Sequence, residues 1–143
     1  MPSWRDSASQ QCQDDLDGLL NVTLSFAQQM LEQRAEFYPF GAALSTGGEA
    51  QLLGADTGPD DRPVSAAVHA SLLDGIRCAR ADYRAVAICS DVRLPDSDAV
   101  TVELEHQDGQ AMAVLLPYTK KRFSRGVEYG ELRGGTATRQ VWT

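Results

Sequence analysis

"VTVELEHQDGQAMAVLLPY", Val100 to Tyr118, decides how the rest of the chain is read, because it holds two strand-like segments joined by a tight turn. The alternation of apolar and polar residues in VTVELEH sends successive side chains to opposite faces of a strand. Asp108-Gly109 is a strong signal for a two-residue hairpin turn, and AMAVLLPY returns antiparallel. In that register His106 faces Ala111, Leu104 faces Ala113 and Val102 faces Leu115, which makes their side the core. The other side sets Thr101, Glu103 and Glu105 against Leu116, Val114 and Met112, a mixture that a fully solvated face would not favour. A cover is expected there, supplied by a terminal segment or by a second copy of the chain.

Working back toward the N-terminus, AVAICSDV (85–92) is a continuous apolar run of strand formers, the pattern of a strand buried on both faces. Val64, Val68, Leu72, Ile76 and Ala79 share one helical stripe, so a helix is expected from Val64 to about Ala81, with Asp61 as cap and Pro63 in its first turn. FGAALSTGGEAQLLG (40–54) reads as a hairpin whose Gly47-Gly48 supplies the positive φ of a two-residue turn. Leu16, Leu19, Leu20, Phe26, Ala27, Met30 and Leu31 space as a helix starting at Asp14 or Asp15 and running to about Glu36, closed by Pro39. Residues 1–11 read as a loose end. After Tyr118 the chain is expected to add one or two edge strands.

These elements give an α+β fold: an antiparallel sheet of five to seven strands with two helices packed on it, in the order α-β-β-α-β-β-β. At 143 residues one domain spanning 1–143 is expected. The composition, 43% hydrophobic and 23% charged, is that of a globule. No apolar run reaches the roughly 18 residues of a membrane span, and the polar start lacks the apolar core of a secretory signal. Cys12, Cys78 and Cys89 form no CxxC or Cys/His array, so neither a disulfide framework nor a zinc site is expected, and the cytoplasm is the expected location.

The net charge is −7, yet residues 119–143 carry +4 and the first 118 carry −11. YTKKRFSRGVEYGELRGG (118–135) matches a nucleic-acid surface in residue type, with Lys120, Lys121, Arg122 and Arg125 around Phe123. If Ser124 to Gly126 form a three-residue loop, Arg122 lies opposite Glu128 and Lys121 opposite Tyr129, a self-neutralising edge hairpin. With −11 elsewhere repelling phosphate, this argues against nucleic acid and leaves Lys120 and Lys121 as the rim of a protein contact.

Chemical signatures are sparse. The Gly-rich turns STGGE and LRGGT do not lead from a strand into a helix, so they do not cradle phosphate, and the acidic turns around Asp60 and Asp96 lack a calcium-loop spacing. His69 and His106 read as boundary histidines. Ser90 with Asp91 at a strand end is the remaining place to inspect.

EFYPFGAALSTGGEAQLLGAD (36–56) and DVRLPDSDAVTVELEHQDGQAMAVLLPY (91–118) are similar to a family of conserved, uncharacterised small bacterial proteins. The resemblance spans the first helix to Tyr118 and implies no activity, ligand or site residue. The element order is also similar to profilin-like and roadblock-like sandwiches, an analogy of order only.

The expected function is a non-enzymatic protein-binding or adaptor domain, acting as a homodimer, without cofactor or metal. Its expected interface is Met112, Val114 and Leu116 beside Lys120 and Lys121. The alternatives are a small hydrolase or transferase using a histidine, and an acidic immunity-type protein that neutralises a basic toxin.

Overall fold

A computed structural model describes residues 4–34, 36–55, 64–121 and 126–143. Among the described residues the helices are α1 (Trp4–Ser7), α2 (Gln10–Arg34) and α3 (Ser65–Ala79), the last followed by a 3₁₀ turn, Arg80–Asp82. The strands are β1 (Phe40–Ser45), β2 (Ala50–Leu53), β3 (Tyr83–Arg93), β4 (Asp98–His106), β5 (Ala111–Lys120), β6 (Val127–Tyr129) and β7 (Arg133–Thr136). They form one antiparallel sheet in the order β2-β1-β3-β4-β5, with β6 and β7 both on the outer edge of β5. The α+β class and the expected element order stand.

The N-terminal segment corrects the sequence reading. Ser9 Oγ accepts the Cys12 N–H at 3.1 Å, an N-cap that starts α2 at Gln10 rather than at Asp14 or Asp15. Arg5 of α1 donates to both carboxylate oxygens of Asp17, at 2.7 and 3.0 Å. The described part of 1–11 is therefore mostly helical and tied to α2, not a loose end. The expected cap and proline of α3, Asp61 and Pro63, lie outside the described residues.

Turn length corrects the decisive hairpin. His106 N–H donates to Gln110 O at 2.8 Å, Gly109 N–H donates to His106 O at 3.0 Å, and Gly109 has φ +115°. The loop is thus Gln107-Asp108-Gly109, three residues ending in a left-handed glycine. The partners become Glu105↔Ala111, Leu104↔Met112, Glu103↔Ala113 and Val102↔Val114. A one-residue slip moves every returning side chain to the other face. The β1–β2 turn, Thr46 to Gly48, is also three residues long, closed by Ser45 N–H donating to Glu49 O at 2.8 Å with Gly48 at φ +94°.

The sheet accordingly has two covered faces. On one, Val100, Val102, Leu104, Met112, Val114, Leu116 and Tyr118 join Phe40, Ala42, Leu44, Ala85, Ala87 and Cys89 beneath the Cys12, Leu16, Leu19, Ala27 and Leu31 stripe of α2. Thr23 lies in the same stripe, its hydroxyl donating back to Leu19 O at 2.9 Å. On the other, Ala43, Val86 and Ile88 pack under Val68, Leu72 and Ile76 of α3 and under Val141. The cover expected over the glutamate side is therefore α3 together with the C-terminal segment.

Beyond β5 the register also differs from expectation: Lys120 pairs with Val127, Thr119 with Glu128 and Tyr118 with Tyr129. Glu128 thus faces Thr119 rather than Arg122, and Tyr129 faces Tyr118 rather than Lys121; Arg122 to Arg125 lie outside the described residues. Gly130 N–H donates to Pro117 O at 2.7 Å, so the Pro117 carbonyl and its hydrogen-less nitrogen both face this outer edge. With no donor there, pairing lapses, and it resumes as β7 with Leu115↔Arg133.

Candidate functional site

Under α2, at the hairpin end of the sheet, a buried ionic group joins three elements. Leu44 pairs with Ala85 while Ser45 pairs with Tyr83, so Arg84 is the extra residue of a β-bulge. The bulge re-aims its guanidinium, which donates to Asp15 of α2 from Nη2 at 2.9 Å and from Nε at 3.1 Å. His106 Nε2 meets Asp15 Oδ2 at 2.9 Å and its Nδ1 meets Asp108 Oδ1 at 2.6 Å. The Asp108 backbone N–H also donates to Nδ1, at 3.3 Å. The fully buried Cys12 thiol donates to Asp108; burial, then Asp108 and Asp15, push its pKa up to about 12. A buried thiol whose pKa is raised is not an activated nucleophile.

At the opposite end of the same face Asp91 is buried, its side chain 2% exposed. It accepts the Tyr118 hydroxyl at 2.5 Å and Arg93 Nη1 at 2.6 Å, and Nη1 also reaches the Tyr118 oxygen at 3.0 Å. Burial and then the Asp91 bond raise the Tyr118 pKa above its ordinary value. Asp91 and Arg93 line a cleft of about 450 Å³ together with Met30, Arg34, Phe37 and Tyr38. The volume suits a small ligand. The carboxylate and guanidinium, however, already engage one another.

The other sheet face holds two further carboxylates. Glu103 Oε1 lies 2.6 Å from His69 Nε2 of α3, both half-buried. Glu105, its residue 5% exposed, accepts backbone N–H groups from Gln140 at 2.6 Å, Val141 at 3.0 Å and Trp142 at 2.7 Å. Arg77 of α3 donates to Gln140 O at 2.7 Å. These bonds strap residues 140–142 across the sheet.

A shallow groove of about 420 Å³ runs between α2 and β2, the sheet's outermost strand on that side. Val22, Phe26 and Leu52 supply its apolar surface and Asn21, Ser25 and Gln29 its polar side. Val22 is 38% exposed and Leu52 46%. None of the six is charged, in a chain with 13 basic and 20 acidic residues.

The residues expected to matter are redistributed. Met112, Val114 and Leu116 are buried beneath α2 and so cannot form an exposed interface, because the longer turn flips their strand. Lys120 and Lys121 are exposed at the end of β5. Ser90 and Asp91, consecutive on β3, point to opposite faces and cannot act together. His106 is drawn into the ionic group with Cys12, Asp15 and Asp108, an association between distant segments for which the sequence carries no local signal.

No protein-family model, curated protein or solved structure matches the chain.

Proposed function

We propose that this chain is a non-enzymatic protein-binding domain that acts as a homodimer, two copies meeting through their β2 edges and α2 grooves. The observation that carries this reading is the uncharged groove of Val22, Phe26 and Leu52 beside an outermost strand. An edge strand turns alternate backbone N–H and C=O groups outward, and antiparallel pairing of β2 with its own copy is self-complementary about a two-fold axis. Two molecules of net charge −7 repel, so the patch through which they approach must be one without charge; depletion of charge is also the compositional mark of an interface core. Asn21, Ser25 and Gln29, spaced one helical turn apart, supply hydrogen bonds at its margin. His106, with a carboxylate beside each ring nitrogen, and the buried Cys12 thiol, its pKa raised, weigh against the hydrolase or transferase alternative.

Sedimentation equilibrium tests the reading. The unmodified chain is expected to sediment as a dimer, and Leu52→Lys or Val22→Asp as a monomer with an unchanged circular dichroism spectrum. A monomeric unmodified chain, or a dimer indifferent to both substitutions, overturns it.

A further inference from the structure

We propose that Cys12 Sγ, His106 Nδ1 and one carboxylate oxygen of Asp108 form a zinc-binding site with a fourth position open to water. The three ligand atoms lie within 4.8 Å of one another. Tetrahedral zinc with bonds of about 2.0 to 2.3 Å needs ligand separations of about 3.3 to 3.7 Å, so modest movement completes the site. One thiolate, one imidazole and one carboxylate are the mixed soft and hard donors that zinc accepts.

The surroundings are those of a metal-bound histidine. Nε2–H of His106 is held by Asp15, which is held in turn by two bonds from Arg84, so Nδ1 is the nitrogen that turns to the other two ligands. A carboxylate behind the ligating imidazole fixes ring orientation and raises its basicity. Access is through the hairpin tip, where the Asp108 side chain is 44% exposed while that of His106 is only 5%.

The donor set also matches the ion in charge: a thiolate, a carboxylate and a neutral imidazole would offset the two positive charges of zinc.

The test uses the full chain, reduced and stripped with chelator, titrated with cobalt(II) as a spectroscopic probe and then with zinc. One cobalt per chain is expected, with thiolate-to-cobalt charge-transfer absorption and displacement by zinc. Cys78→Ser, which alters the exposed thiol, should leave all of this intact, whereas Cys12→Ser and Asp108→Asn should each weaken binding by more than about a hundredfold. If Cys12→Ser does not fold, Asp108→Asn decides alone, because that side chain lies at an exposed tip. Absence of the charge-transfer band at stoichiometric metal overturns the site. So does a band that survives Asp108→Asn, or one lost in Cys78→Ser.

Discussion

The two faces of the sheet are closed in different ways. α2 lies along one face as a single helix of 25 residues, and its stripe of Cys12, Leu16, Leu19, Ala27 and Leu31 meets apolar side chains from four strands. The other face is closed in pieces: α3 covers Ala43, Val86 and Ile88, and residues 140–142 are held beside it by the buried Val141 and by hydrogen bonds to Glu105 and Arg77. Burial of area is non-directional and spread over many residues, whereas a strap held by one carboxylate depends on that carboxylate. The first cover should therefore fail globally and the second locally.

The largest effect is expected from Leu19→Ala, which leaves a cavity under α2 and should cost about 3 to 4 kcal/mol in urea unfolding. Glu105→Ala should cost about 2 to 3 kcal/mol, since its bonds are charge-assisted. Its signature is spatial: amide exchange at residues 140–142 should accelerate sharply while the centre of β4 stays protected. Uniform loss of protection in both variants would erase the contrast between the faces.

Per pH unit, a smaller effect separates the faces. The Cys12 thiol, its pKa raised from 9.0 to about 12, keeps its proton in the folded state while the unfolded chain releases it. Stability should thus fall as pH rises above about 9, by about 1.4 kcal/mol per pH unit for this group. Cys89 and Tyr118, also beneath α2, shift in the same direction. In chelator-treated protein Cys12→Ala should remove one proton's share of that slope, read from urea midpoints between about pH 9 and pH 11. An unchanged slope would mean that the buried thiol does not govern the alkaline limb.

What was legible in the sequence follows from what is local. The spacing of Leu16, Leu19, Ala27 and Leu31 reports the buried side of α2, and the unbroken run from Ala85 reports a strand covered twice. Turn length is not legible, because Gln107-Asp108-Gly109-Gln110 accommodates a two- or three-residue loop and a left-handed glycine serves both. That ambiguity alone moved Met112, Val114 and Leu116 from an expected interface into the core. Asp91 was singled out beside Ser90, yet its partner is Tyr118, two strands away, which only the register reveals. Cys12, His106 and Asp108 carry no short-range pattern because the fold, rather than their spacing along the chain, brings α2 onto the hairpin.

The strap also imposes an order in time. Glu105 leaves the ribosome before the three amides that satisfy it, so during synthesis its carboxylate must remain hydrated after its own hairpin has been made. The sheet can dry against α2 early and α3 can settle on Val86 and Ile88, but the patch around Glu105 closes only when residues 140–142 emerge. For that interval the nascent chain shows a wet, half-finished face to whatever folding factors attend it.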